Sequence, residues 1–99
     1  MLPTNRPPTH RGEMLLKEFL EPRGVSHVDA AKRMNISFRR LNAIVSGRRG
    51  VSAETALLFE ALTRWDAEIW LTVQARWDLW HAMRARGQRP KVRALPKTA

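Results

Sequence analysis

Between Ser37 and Gly50 the chain carries Arg39, Arg40, Arg48 and Arg49, interleaved with Phe38, Asn42 and Ala43, and no acid at all. A guanidinium can donate two parallel hydrogen bonds to a guanine edge, an asparagine amide pairs with adenine, and an apolar side chain meets the methyl of thymine. Phe38, Arg39, Arg40, Asn42 and Ala43 are therefore candidate base contacts. Phe38 also stands three residues before Leu41, so its spacing suits inward packing as well as a groove. A helix beginning at Ser37 offers backbone N–H groups to a phosphate. Arg48 and Arg49 fall just beyond that helix, where they match the charged backbone of a duplex better than its bases. Ser26 and Ser46 join Ser37 as further candidate phosphate contacts.

Two short helices have to position this set. Ser26 is a good N-cap, and Asp29 in the following turn favours the helix dipole, so a helix runs from there to about Met34. Asn35 tolerates the left-handed conformation and can end it tightly. Ser37 caps the next helix, whose inward residues are Leu41, Ile44 and Val45, and Gly47 closes it. Ala31 is small where two backbones must approach, and Met34, Ile36, Leu41 and Ile44 join the pair to a core. Two helices about a tight turn, the second rich in Arg, are the layout of a helix-turn-helix, whose second helix enters the major groove of DNA.

Three more helices surround the pair. Leu15, Leu16, Phe19 and Leu20 form one stripe of a helix that starts near Gly12 and stops at Pro22 and Gly24. Ser52 opens a fourth helix with Leu57, Leu58, Ala61 and Leu62 available for the core. Asp66 opens a fifth and longest one, reaching about Ala85 before Gly87. No strand pattern is long enough to pair. The sequence thus predicts an all-α, five-helix domain over residues 10–86, with a flexible Pro-rich arm over 1–9 and a basic, disordered tail over 87–99.

Composition supports one soluble domain. The chain has 99 residues, 43% apolar and 27% charged, enough for one core and no second. There is no Cys, which excludes disulfides and thiolate chemistry and fits a reducing cytoplasm. No apolar run suits a membrane span, and the first residues offer no signal peptide. Eighteen basic and nine acidic residues give a net charge of +9, which points to a polyanionic partner. Segments 37–50 and 87–99 contribute +4 each, residues 1–36 only +2, and 51–86 −1. A solvated basic face on a plain helical bundle is the alternative to DNA binding.

The four tryptophans are Trp65, Trp70, Trp77 and Trp80. Ile69, Trp70, Val73, Trp77 and Trp80 make a stripe on the fifth helix. Trp70 reads as core, whereas Trp77, Trp80 and Met83 read as a homodimer contact, since so small a domain has little interior for more rings. A two-fold pair would set the recognition helices one DNA turn apart, on the order of 34 Å, and would call for a palindromic double-stranded operator. His10, His27 and His81 lack metal-ligand spacing, and no nucleophile triad or phosphate loop is present, so neither an enzyme nor a metal or other cofactor is expected. His10 suits the cap of the first helix or a place just before it.

Beyond these local readings, Arg6-Pro7-Pro8-Thr9-His10-Arg11-Gly12-Glu13 followed by Phe19-Leu20-Glu21-Pro22 resembles the opening of HigA-type antitoxins. The likeness continues through Ser26–Gly47, Val51–Leu57, and Ile69-Trp70-Leu71 with Gln74 and Asp78-Leu79-Trp80, and covers about residues 6–82. It implies a lambda-repressor-like helix-turn-helix, a dimeric repressor of its own operon, and a partner in a HigB-type toxin that cleaves mRNA on the ribosome. His27 stands where the wider family usually has Gln, a position that braces the recognition helix or touches phosphate. Asn35 replaces a common Gly, and Ala30 a larger aliphatic, so the core must be filled from elsewhere. An orphan regulator without toxin, or a module binding protein or RNA through the Trp stripe and tail, are the competing readings.

Overall fold

His10 sits in extended backbone, and its Nδ1 accepts the Gly12 N–H at 3.0 Å, so of its two expected places it takes the cap of the first helix. In the computed structural model, which describes residues 7–86 and 91–97, helix α1 spans Arg11–Leu15, α2 His27–Met34, α3 Phe38–Val45, α4 Ala53–Thr63 and α5 Ala67–Arg86. The described residues form no strand. Of the Pro-rich arm only residues 7–9 are described, without regular structure, and residues 91–97 of the tail are exposed and irregular. Met1–Arg6, the expected stop at Gly87 with residues 88–90, and residues 98–99 lie outside the described residues.

The first helix departs from the regular stripe expected of it. After Leu15 the chain widens into a π-helical turn, Leu16–Leu20, in which the Glu21 N–H reaches back five residues to the Leu16 carbonyl. It then tightens into a 3₁₀ turn, Glu21–Arg23, ending at Gly24 with φ 64°. Pro22 explains the change, because it has no N–H for the Glu18 carbonyl. Arg23 compensates: its Nη1 donates to the carbonyls of Phe19 at 3.1 Å and Glu18 at 3.5 Å. The altered register buries Leu15, Phe19 and Leu20 and leaves Leu16 half-buried.

The helix-turn-helix follows its capping signals. Ser26 Oγ accepts the Asp29 N–H at 3.1 Å, and Ser37 Oγ accepts the Arg40 N–H at 3.0 Å. Asn35 is left-handed at φ 58°, which lets the Ile36 N–H close on the Ala31 carbonyl at 3.0 Å. Gly47, at φ 91°, closes α3. Ala30, Ala31, Met34, Leu41 and Ile44 are all buried.

The fourth helix corrects the predicted core. Leu57 is 59% exposed and Ala61 is also exposed, while Leu58 and Leu62 are half-buried. The buried face is Thr55, Ala56 and Phe59 instead. Those four positions make one helical stripe, but Ala53, Ala56 and Phe59 extend apolar surface around the rest of α4, so hydrophobicity alone could not orient this helix. The aromatic rings orient it. Phe59 meets Trp70 edge-on at 5.0 Å, Phe19 meets Trp65 edge-on at 4.8 Å, and Trp70 Nε1 donates to Thr63 Oγ1 at 3.2 Å. Trp70 and Phe59 are fully buried and supply bulk that the small Ala30 and Ala31 do not.

α1 packs on α3 and α5, α2 on α3 and α4, and α4 along α5. Gly12 brings α1 close against α3: a Cβ there would lie 2.9 Å from the Cα of Val45. We expect Gly12→Ala to destabilise the protein by roughly 1–3 kcal/mol through overpacking against backbone, despite the better helix propensity of Ala. Thermal denaturation reads this as a melting temperature lower by about 4–8 °C per kcal/mol, and an unchanged or raised melting temperature refutes the close approach.

Candidate nucleic-acid interface

Ser37 starts α3 at the surface, and the residues that follow take separate places. Phe38 is 46% exposed and Arg39 is exposed, whereas Asn42 and Ala43 are half-buried on the same outward side. Phe38 thus stays out of the buried core yet is partly covered, which leaves room for both the groove and the partial inward packing expected of it. Arg40 behaves differently from its neighbour. Its side chain is only 28% exposed and lies on α4, with Nη2 3.5 Å from Glu54 Oε1 and 3.4 Å from Thr55 Oγ1. Its Nε is buried without a hydrogen-bond partner. Both bonds are long, so the guanidinium is held but under-satisfied.

The serines have different capacities toward a phosphate, which only accepts hydrogen bonds. Ser26 and Ser37 cap their helices as acceptors, and each keeps its hydroxyl hydrogen for an outside oxygen. Ser46 instead donates its hydrogen to the Ala43 carbonyl at 3.3 Å, which leaves it a weaker phosphate donor in this arrangement. His27 occupies the first position of α2 and is half-buried, with Nε2 buried and unpartnered. Arg48 and Arg49 are exposed on the turn after α3.

Two residues that hold this turn, Arg11 and Gln74, belong to the stretches that resemble the family, but nothing in their spacing assigned them a role at the site. Arg11 is only 2% exposed, yet charged; its Nε donates to the Ile44 carbonyl at 3.1 Å and its Nη2 to the Arg49 carbonyl at 2.8 Å. Burial pushes its pKa down from the ordinary arginine range, and Asp78 opposes that shift. Gln74 of α5 accepts the Val51 N–H through Oε1 at 2.9 Å and donates through Nε2 to Asp78 Oδ2 at 2.7 Å. A buried arginine and a helical glutamine look like solvated surface in a sequence, because their acceptors are backbone carbonyls and amides 23 to 38 residues away. Only the fold brings them together.

On α5, the inward side ends with Trp77, half-buried and edge-on to His10 at 4.6 Å and beside His81 at 4.5 Å. Trp80 is half-buried, with the Arg84 guanidinium 4.8 Å from its ring centre, and Met83 is 60% exposed. Leu79, 53% exposed, shares this end of the helix. From Asp78 onward α5 contributes no residue to the core cluster. No described helix is long and apolar enough to cross a membrane.

A capped helix pair, an outward recognition helix and an acid-free turn define a helix-turn-helix DNA-binding regulator, and a helix-turn-helix family model matches residues 16–64. The chain is similar to virulence-associated protein I of Dichelobacter nodosus, 41% identical over 73 residues that span 74% of this chain and 68% of that protein. It is also similar to antitoxin HigA-1 of Vibrio cholerae, 36% identical over 81 residues, spanning 81% and 75% of the two chains. The fold matches the Pseudomonas aeruginosa antitoxin HigA solved with the higBA promoter, with a TM-score of 0.75 and 32% identity over 81% of this chain and 87% of that one. The chain belongs to the HigA-type antitoxin family, as the residues of its opening and its fifth helix suggested.

The His10 cap titrates. Burial, and then the Arg11 charge, lower the His10 pKa from its ordinary value near 6.5; Glu13 and Asp78 raise it, and His81 lowers it slightly. The folded state therefore binds a proton less readily than the unfolded chain. The stability His10 contributes is complete above about pH 6.5 and is lost as pH falls from there toward the folded pKa. Urea unfolding at pH 7 and 5.5 should show a drop that His10→Asn, which keeps a capping acceptor without titrating, makes smaller. Equal drops in both proteins would contradict the capping role.

Proposed function

We propose that this protein is the antitoxin of a type II toxin–antitoxin pair, a dimeric repressor that binds a palindromic operator of its own operon and neutralises a HigB-type toxin. The observation that carries the DNA reading is the outward placement of Phe38 and Arg39 at the start of α3, above an acid-free turn with Arg48 and Arg49 exposed. The fold likeness to an antitoxin solved with its promoter supports it. Asn42 and Ala43, on the same side, complete the base-reading set. Arg40 joins that set by leaving Glu54 and Thr55, two long bonds that a guanine edge can outcompete with a bidentate pair.

Ser26, Ser37, Arg48 and Arg49 serve as phosphate contacts, with His27 and Ser46 at the edges of the same surface. Dimerisation is assigned to the end of α5, through Trp77, Trp80 and Met83. Trp77 already meets His10 edge-on and Trp80 carries the Arg84 guanidinium over its ring, so Met83 is the most exposed part of that contact. Toxin binding follows from the family alone.

Three outcomes test this reading. Arg39→Ala should weaken binding to the upstream duplex by about 1–3 kcal/mol and relax preference at one base pair. Arg48→Ala should weaken binding to every sequence alike and reduce the slope of log affinity against log salt by about 1. Quantitative footprinting across a salt series separates the two, and sequence-blind retention of the wild type would reject the operator reading in favour of an interaction module. Growth assays with the neighbouring toxin gene should show rescue on co-expression; no rescue leaves an orphan regulator.

A further inference from the structure

We infer that Arg11, together with Gln74, is a positioning residue for phosphate contact: the pair holds the turn after α3 so that Arg48 and Arg49 are set in place before DNA arrives. The inference rests on the operator-binding reading above and adds residues which lie behind the interface rather than on it.

The turn from Ser46 to Gly50 puts no side chain into the core, and its first residues are tied only to the last turn of α3. All five residues are exposed, and they include two adjacent like charges. Such a segment, left to itself, is drawn from the least stable part of a fold. Here, however, the backbone of Arg49 is pinned on both sides. Its N–H donates to the Ala43 carbonyl at 3.0 Å, and its C=O accepts from Arg11 at 2.8 Å. Two residues on, the Val51 N–H is held by Gln74 at 2.9 Å. The Arg49 side chain remains free to face outward while its main chain is fixed.

Arg11 suits this position for electrostatic reasons. One carbonyl it meets, that of Ile44, lies in the last turn of α3, whose end carries partial negative charge. The other belongs to Arg49 in the turn beyond, and a guanidinium makes charge-assisted bonds to both. Its planar fork reaches two acceptors at once, Ile44 and Arg49, which a lysine ammonium does less well. Gly12 lets α1 come close enough to α3 for the fork to arrive. Gln74 sits on α5, so the turn is clamped between the first helix and the helix assigned to the dimer contact. Because the turn is ordered in advance, its backbone entropy is not lost at binding, an effect on the order of tenfold in affinity per ordered residue.

The test uses the full chain and a labelled duplex from the DNA upstream of its coding sequence. Arg11→Met keeps length and removes the donors; Arg11→Lys keeps the charge. With folding verified by circular dichroism, Arg11→Met should bind about tenfold more weakly and with a salt slope shallower by about 1, and Arg11→Lys should recover part of both. Arg49→Ala should then cost a smaller factor in the Arg11→Met background than in the wild type. If Arg11→Met does not fold, Gln74→Ala carries the same double-substitution test at the other end of the turn. Wild-type affinity and slope in folded Arg11→Met, or an Arg49→Ala factor equal in both backgrounds, overturns the inference. Failure of the wild type itself to prefer the upstream duplex over unrelated DNA overturns the operator reading instead.

Discussion

The carbonyl end of α3 faces protein rather than open water, and the chain closes it with a buried cation. A lone buried charge is strongly disfavoured unless it is fully bonded, so the two carbonyls at 3.1 and 2.8 Å are what make Arg11 tolerable. Much else follows from that contact. α1 must approach α3 closely, which requires Gly12 against Val45. The helix must start at Arg11, which places His10 as the cap and brings its ring against Trp77 of α5. Three consecutive residues, His10, Arg11 and Gly12, thereby join the first helix to the third and the fifth.

The arginines of this chain cannot be treated as one population. Arg11 and Arg23 satisfy carbonyls left open at a helix end and beside a proline, and Arg33 pairs with Asp29 four residues away at 3.1 Å. Arg40 rests on α4, and Arg39, Arg48 and Arg49 stand exposed. The net charge of +9 therefore overstates the charge free for a partner, although it identifies the partner's sign. What distinguishes the interface is where acids are missing, since no carboxylate intervenes between Ser37 and Gly50 and the first one beyond, Glu54, is already bonded to Arg40.

α5 divides its length between two roles. Its first half closes the aromatic core with Trp70 and clamps the turn through Gln74, while its second half stands clear of the core with Trp80, Leu79 and Met83 at its surface. The same helix thus touches the residues behind the recognition turn and carries the surface assigned to the second subunit. In the proposed dimer a two-fold contact through that end would set the spacing of two recognition helices, and the proposed clamp the height of each turn.

The helix-turn-helix was legible because its signals are local: Ser26 and Ser37 as caps, Asn35 as a left-handed stop and Gly47 as a closing turn act within a few residues, and the structure uses all four. The acid-free stretch and the Trp70 core position were equally readable, as they depend on residue type and short spacing. The π-turn after Leu15, the inward face of α4 and the side-chain placements of Arg11, Arg40 and Gln74 were not. The π-turn answers to Pro22 a few residues on, but its form could not be read from that residue alone. The others depend on a partner distant in the chain: the Trp70 ring that turns α4 through Phe59, the Ile44 and Arg49 carbonyls that draw in Arg11, the Thr55 hydroxyl beneath Arg40, the Val51 amide beside Gln74. Capping and helix-ending are decided by backbone dihedrals and the nearest donors, so the sequence by itself determined which helices exist and which one presents arginine. Burial of a charge or rotation of a helix face is decided by what other elements bring to it, and only the tertiary structure settled that.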